Sequence, residues 1–193
     1  IFVVAPSGLQ LYSNNRDGTF TDIAAQLGFG DLQVTAILVE DFNQDSYMDA
    51  ALLSPKGELS IWHNERGLLF SKGALLDVAN TSTLLSSDVD NDGDLDAWAL
   101  GSNGATLLAW HEDSFQASAA PIQGQTTLPA LSADFDGDGR TDLWAAGKLF
   151  KNETNAGNWV RIALQGLNSN HDGIGTKVEI KTENRLQKRE LRG

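Results

Sequence analysis

The chain is 193 residues long with a mass of 20.8 kDa, which is enough for one domain with a sizeable core. Its 41% hydrophobic and 21% charged residues exclude a disordered chain and a membrane span, and the lack of cysteine excludes disulfides, thiolate metal sites and a cysteine nucleophile. The formal net charge of −12 disfavours nucleic acid and anionic lipid as partners and favours cations.

The first elements in chain order indicate strands. The apolar run from Ile1 to Ala5 predicts a strand, and because the sequence begins inside it without a signal peptide, we expect a piece of a longer polypeptide. A helix of one or two turns is predicted between Asp22 and Leu27. Beyond it, alternation such as that of Glu58–His63, together with 19 glycines, favours strands joined by turns. The sequence therefore predicts an all-β fold.

Three nine-residue acidic segments recur at a nearly constant spacing. They are residues 41–49, 88–96 and 134–142, which start 47 and 46 residues apart, and we name them loop 1, loop 2 and loop 3, each with positions 1 to 9. An apolar run that predicts a buried strand follows each loop, and an aromatic residue follows each run. The runs are Ala50–Leu53, Ala97–Leu100 and Leu143–Ala146, and the aromatic residues that follow them are Trp62, Trp110 and Phe150. A fourth equivalent aromatic residue, Tyr12, lies ahead of loop 1.

This period indicates a repeat of about 46 residues with roughly four short strands, which is the size of a β-propeller blade. Residues 1–157 have room for three to four such repeats, fewer than a closed ring needs, so we expect a partial propeller. The interval from loop to aromatic residue is 16 residues in the last repeat against 21 and 22 in the others. The shorter interval predicts a tighter turn there.

The three loops carry the oxygen donors of a calcium site. Side chains at positions 1, 3, 5 and 9 and the carbonyl oxygen of position 7 can converge on one hard cation at about 2.3–2.6 Å. The predicted ligands are Asp41, Asn43, Asp45, Tyr47 and Asp49 in loop 1, Asp88, Asp90, Asp92, Asp94 and Asp96 in loop 2, and Asp134, Asp136, Asp138, Arg140 and Asp142 in loop 3. Gly93 and Gly139 stand at position 6, where the loop must turn, but loop 1 has Ser46 there. We expect up to three Ca²⁺, with loop 1 binding most weakly.

Other interpretations of the loops are less favoured. An EF-hand needs a glutamate at position 12 and flanking helices, whereas position 12 is Leu52, Ala99 and Ala145 and the flanks are strand-like. Magnesium keeps its water in a strict octahedron, and soft metals need nitrogen or sulfur ligands. Plain acidic surface turns are the remaining alternative, and the regular spacing of the three loops makes this alternative less favoured.

The Asp-x-Asp-x-Asp-Gly-x-x-Asp loops at this spacing resemble the FG-GAP/VCBS repeats of calcium-bearing β-propellers over residues 1–157. Asn158–Gly166 and Ser169–Gly175 are similar to the opening of the ASPIC/UnbV domain, which would occupy residues 158–193. The resemblance is to the family of cartilage acidic protein-like and UnbV-like proteins. It implies a calcium-binding, secreted or cell-surface protein with a propeller of about seven blades, an adhesion role and no defined catalytic activity.

The C-terminal segment differs from the rest in charge and in pattern. The net charge is −15 over residues 1–157 and +3 over residues 158–193. Apolar residues alternate with polar or small ones over Val160–Leu164 and again over Val178–Ile180, which predicts two or three strands around the loop Ser169–Gly175. Turn chemistry explains that loop better than a binding role does.

His63 and His111 each follow a tryptophan at equivalent points of the repeat, so we interpret them and the paired tryptophans as structural residues. We expect no enzyme, and the predicted function is a calcium-rigidified interaction or adhesion module, outside the cell or in the periplasm, that binds a protein or glycan. One alternative is an accessory protein of a biosynthetic pathway, catalytic or not, whose pocket forms only in the full-length propeller, and another is a plain structural role. Neither nucleic-acid binding nor membrane insertion is expected, and exposed strand edges predict self-association as a dimer.

Overall fold

The structure is a computed structural model that describes residues 1–67, 69–118, 122–124, 126, 129–154, 157–167, 170–183 and 185–191. It is all-β, as the sequence predicts, and within these residues the only helical element is a 3₁₀ turn at Ala25–Leu27. The strands are β1 (Phe2–Ala5), β2 (Gly8–Asn14), β3 (Phe20–Asp22), β4 (Ala36–Glu40), β5 (Asp49–Leu53), β6 (Glu58–Asn64), β7 (Phe70–Asp77), β8 (Thr81–Ser87), β9 (Asp96–Gly101), β10 (Gly104–His111), β11 (Ser114–Ala117), β12 (Ile122–Gln123), β13 (Ala130–Ala133), β14 (Asp142–Ala145), β15 (Lys148–Phe150), β16 (Lys177–Lys181) and β17 (Leu186–Glu190).

Four antiparallel sheets follow one another along the chain. They have the strand orders β1-β2-β3, β4-β5-β6-β7, β8-β9-β10-β11 and β13-β14-β15, and β12 also pairs with β10. A separate hairpin, β16-β17, lies near the end of the chain. Nearly every strand pairs with its neighbour in sequence, so most of the pairing is local and each sheet is a meander. The part of the chain that the structure describes has no helix long and apolar enough to cross a bilayer.

The apolar cores lie between consecutive sheets. In β5, Ala50 and Leu52 belong to the core shared with the first sheet, whereas Ala51 and Leu53 belong to the core shared with the third. Both faces of the strand are therefore covered, and all five residues of β5 are buried. Coverage on two faces explains why the sequence after each loop is a continuous apolar run rather than an alternating one. A third core joins the third and fourth sheets through Leu100 and Leu143.

The predicted packing role of the repeat-equivalent tryptophans is confirmed for three of them. Trp62 and Trp110 lie in the first two inter-sheet cores, and Trp98 packs against the third. Trp110 stacks on Phe42 with ring centroids 5.1 Å apart, and Phe115 meets the same ring edge-on at 4.9 Å. Such aromatic pairs stabilise the cores beyond the area that they bury.

Two local predictions need correction. Val160–Leu164 forms no strand, although β16 forms where Val178–Ile180 predicts one. The helix predicted after Asp22 shrinks to the 3₁₀ turn, with the Asp22 carboxylate accepting the amide N–H of Ala24 at 2.9 Å. Ser169 of the predicted loop lies outside the described residues.

The last repeat is short in its strands as well as in its turn. Its strands β14 and β15 have four and three residues, against six and eight in β9 and β10. The turns that join them are equally tight, two residues in each case. The β5–β6 turn of the first repeat has four residues, so the last repeat is shorter than that one in its turn, as predicted, and shorter than the second repeat in its strands.

Candidate metal sites

The three acidic loops occupy equivalent places in the fold. Each joins the first and second strands of its sheet, β4 to β5, β8 to β9 and β13 to β14. Antiparallel pairing closes each loop at its base, since position 9 pairs with the residue before position 1, as in Glu40 with Asp49 and Ser87 with Asp96. The same pairing joins Ala133 to Asp142. Sheet register thus sets the size of each loop at the same eight inserted residues.

The carboxylates at position 1 hold the turn of each loop together. The Oδ2 atoms of Asp41, Asp88 and Asp134 accept the position 6 amide N–H at 2.9, 3.1 and 3.1 Å. Position 3 accepts the N–H of position 5, and position 5 accepts the N–H of position 7, in all three loops. These bonds fold each loop into a series of Asx-type turns with the same hydrogen-bond pattern.

The carboxylates at position 9 are the most deeply buried part of the loops. Asp49, Asp96 and Asp142 have exposures of 0%, 3% and 1%. Oδ1 of each accepts a backbone N–H from the next strand or just beyond it, and in loops 2 and 3 Oδ2 accepts the N–H of position 2. Burial, opposed by these two bonds, raises the pKa of Asp96 to about 6. Position 9 therefore fastens the loop to its sheet besides being a predicted ligand.

Two groups of carboxylates are close enough to share one cation. The oxygens of Asp88, Asp90 and Asp96 lie within 4.8 Å of one another, and so do those of Asp134, Asp136 and Asp138. Two oxygens bound to one calcium ion can be no more than about 5 Å apart, so both groups fit. Within the described residues, Asp92 and Asp142 fall outside these groups, and loop 1 forms no such group of three.

Buried oxygens without partners identify where positive charge is lacking. Oδ1 of Asp41 and Oδ1 of Asp88 are buried and accept no hydrogen bond from the described residues, and the same is true of Asp49 Oδ2. Burial raises the pKa of Asp41 and Asp88, and neighbouring carboxylates raise it further. His63 Nδ1 lies 3.9 Å from Asp49 Oδ2, too far for a hydrogen bond. Unpaired buried carboxylate oxygens of this kind fit a hard cation.

Position 6 requires glycine in loops 2 and 3 for two reasons. Gly93 and Gly139 have φ of 92° and 84°, in the left-handed region. A Cβ at either position would also overlap a side chain of the C-terminal segment, Gln187 or Trp159. Ser46, with φ of 79°, adopts the same backbone shape in loop 1. The serine therefore changes the side chain but not the course of the loop.

The position 7 residues differ in how their side chains are used. Tyr47 is 40% exposed. The Asp94 carboxylate contacts Gln44 Nε2 at 2.8 Å and Arg185 Nη2 at 3.0 Å. Arg140 donates through Nε to the carbonyl oxygen of Asn152 at 2.8 Å. At this position only the backbone carbonyl is left to serve as a ligand.

Basic side chains surround the loops, a feature that the sequence interpretation missed. The C-terminal segment contributes Arg189 to Asp88 at 3.1 Å and Arg161 to Asp134 at 3.1 Å. In loop 3, Lys151 also pairs with Asp136, which raises the pKa of the lysine. The opposite net charges of the two parts of the sequence were a signal for these contacts. The basic groups partly compensate the carboxylates but leave Asp88 Oδ1 without a partner.

Successive meander sheets with acidic loops at equivalent points define a β-repeat protein whose loops bring together carboxylates that could hold a cation. Residues 88–145 match the family of FG-GAP-like repeats. The match begins at position 1 of loop 2 and ends with the last residue of β14, so it covers less than a third of the chain. No curated protein matches the chain.

Proposed function

We propose that this chain is part of a calcium-binding β-propeller, in which each sheet is a blade or part of one and loops 1 to 3 each hold one Ca²⁺. The observation that carries the proposal is the set of buried, unpartnered oxygens on Asp41, Asp49 and Asp88. These oxygens lie in loops 1 and 2, which share one backbone geometry with loop 3. The carboxylate groups of loops 2 and 3 give further support. Acidic surface turns would not need to bury unpaired carboxylate oxygens.

Bound calcium would supply positive charge and a fixed coordination sphere to the loop oxygens. The residues that would hold it are the fifteen named above, through side chains at positions 1, 3, 5 and 9 and the carbonyl of position 7. Asp96 and Asp142 tie loops 2 and 3 to the buried second strand of their sheets. Rigidity at the loop would therefore pass directly into the core of the blade, and cation binding would stabilise the fold.

The role that we propose is that of an interaction module whose calcium-stiffened blades present a surface to a protein or glycan. FG-GAP-like repeats typically occur in extracellular proteins, which supports a place outside the cell or in the periplasm. The catalytic interpretation has little support, because Trp62 and Trp110, which precede the two histidines, are core residues. We propose a non-catalytic protein.

We also propose that residues 158–193 begin a separate ASPIC/UnbV-like unit. Supporting this division, the four sheets end with β15 at Phe150, and β16-β17 pairs only with itself among the described strands. An apolar groove of about 520 Å³ lies between this segment and loop 2, with Trp159, Val160, Ile162, Val178 and Ile180 on one side and Asp88 and Asn91 on the other. Apolar residues from before and after the loop Ser169–Gly175 thus line the same groove.

Thermal unfolding in EDTA and in millimolar Ca²⁺ tests the calcium proposal. We expect the melting temperature to rise by about 5 to 10 °C for each site occupied at a hundredfold excess over its Kd. Asp90→Asn and Asp136→Asn should each remove one increment. Asp17→Asn is the matched control, because Asp17 is an acid in the β2–β3 turn that accepts from Thr19 at 2.9 Å. Equal melting temperatures in EDTA and Ca²⁺ would overturn the proposal.

A further inference from the structure

The three loops are joined to one another by hydrogen bonds between equivalent positions. The side chain at position 4 of loop 1, Gln44, donates through Nε2 to the carbonyl oxygen of Gly93 at 3.0 Å. The side chain at position 4 of loop 2, Asn91, donates through Nδ2 to the carbonyl oxygen of Gly139 at 2.9 Å. Donor and acceptor are 49 and 48 residues apart, one repeat in each case. Both acceptors are position 6 of the following loop.

The backbone aims these side chains at the next loop. Gln44 and Asn91 have φ of 59° and 54°, in the left-handed region that non-glycine residues seldom adopt. Position 4 lies between the predicted ligands at positions 3 and 5, so it is fixed when those two side chains share a cation. Loop 3 has Gly137 at this position, with φ of 78°, and so has no side chain to continue the series.

The acceptor peptide is the one that positions the predicted carbonyl ligand. The peptide between positions 6 and 7 is held on its N–H side by the position 5 carboxylate, with Asp92 Oδ1 accepting from Asp94 N at 2.9 Å. Its carbonyl side is held from outside the loop in every case. Gln44 serves loop 2 and Asn91 loop 3, while Lys177 Nζ donates to the Ser46 carbonyl of loop 1 at 2.8 Å. A peptide plane held at both ends fixes where the next carbonyl points.

We infer that Gln44 and Asn91 are positioning residues that couple cation binding in adjacent loops, loop 1 to loop 2 and loop 2 to loop 3. A cation in one loop fixes its position 4 side chain, and that side chain orients the position 7 carbonyl of the next loop. The coupling is reciprocal, as any equilibrium linkage between two binding sites must be. The inference rests on the proposed calcium function, for which the fully buried and unpartnered Asp49 Oδ2 is independent support.

Calorimetric titration of the chelator-stripped protein with Ca²⁺ tests the coupling. Asp136→Asn disables loop 3 through a partly exposed side chain, and loop 2 should then bind Ca²⁺ about three- to tenfold more weakly, the scale of one hydrogen bond. In an Asn91→Gly background the same substitution should leave the affinity of loop 2 unchanged. Glycine at position 4 keeps the left-handed backbone, as Gly137 shows in loop 3.

Gly137→Asn is the matched control, because it adds the same amide at position 4 of loop 3, the last of the three loops. A Cβ at this position would have nothing within 4 Å, so the substitution causes no overlap. It should leave the affinity of loop 2 as it is. If the wild type binds Ca²⁺ but Asp136→Asn leaves loop 2 unaffected, the coupling is refuted and the calcium function stands. If the wild type binds no Ca²⁺, both are refuted.

Discussion

Gly137 and Gly139 form a matched pair for measuring how the C-terminal segment packs on loop 3. Both glycines are left-handed, with φ of 78° and 84°, so alanine at either position costs about 1 kcal/mol in backbone strain. They differ in surroundings. A Cβ on Gly137 meets nothing within 4 Å, whereas a Cβ on Gly139 overlaps the indole of Trp159.

The extra cost of Gly139→Ala follows from the burial of that indole. Trp159 is 50% exposed, so moving it out of contact uncovers about 100 Å² of a side chain that buries about 200 Å² when fully covered. At about 25 cal/mol per Å² this is about 2.5 kcal/mol. We therefore expect Gly139→Ala to lower the free energy of unfolding by about 3 to 4 kcal/mol and Gly137→Ala by about 1 kcal/mol.

Urea unfolding in EDTA, combined in a double-mutant cycle with Trp159→Ala, is the assay. In the Trp159→Ala background the cost of Gly139→Ala should fall to that of Gly137→Ala, because no indole is left to displace. Equal costs for the two glycine substitutions in the wild-type background would refute the packing of Trp159 against loop 3. So would a cost of Gly139→Ala that does not depend on Trp159.

Three further predictions concern pH, competition and packing. First, burial raises the pKa of Asp96 to about 6, so the folded state takes up a proton as the pH falls toward 5 and becomes more stable relative to the unfolded state. Asp49 likewise raises the pKa of His63, and the stability that this adds is present below about pH 6.5 and is lost as the pH rises through the pKa of the folded state. The free energy of unfolding in EDTA should therefore be about 1 to 2 kcal/mol higher at pH 5 than at pH 7 by urea titration, and the reverse order would contradict this. Second, Lys151 pairs with Asp136, so Lys151→Gln should strengthen Ca²⁺ binding to loop 3 about threefold in calorimetry, and unchanged or weaker binding would argue against competition. Third, Phe42 is 1% exposed and stacked on Trp110, so Phe42→Ala should cost about 3 to 5 kcal/mol in urea unfolding, and a cost below about 1 kcal/mol would contradict its place in the core.

The sequence predicted the features that depend on local pattern. Apolar runs after the loops became β5, β9 and β14, because strands covered on both faces need no polar residues. The loops fell at equivalent places, because a period of 46 to 47 residues forces equivalent structure. Of the fifteen predicted ligands, the structure brings the carboxylates of six into two groups.

Contacts between distant parts of the chain were beyond the sequence pattern. Val160–Leu164 alternates like a strand but forms no strand, and alternation alone cannot name a partner for its backbone. The pairing of Arg189 with Asp88 joins residues 101 apart, and only the charge difference between the two parts of the sequence pointed toward it. Fastening the loop and the proposed ligation at position 9 both call for an aspartate, so sequence could not separate the two roles.

The number of calcium ions bound per chain is the direct test of whether the three loops are calcium sites. The protein would be stripped with EDTA, exchanged into metal-free buffer and titrated with Ca²⁺ under native mass spectrometry, with Mg²⁺ as the comparison ion. We expect two or three Ca²⁺ per chain, the loss of one with each of Asp90→Asn and Asp136→Asn, and no replacement of Ca²⁺ by Mg²⁺. A chain that binds no Ca²⁺, or binds the same number after both substitutions, would contradict it and leave the loops as acidic turns.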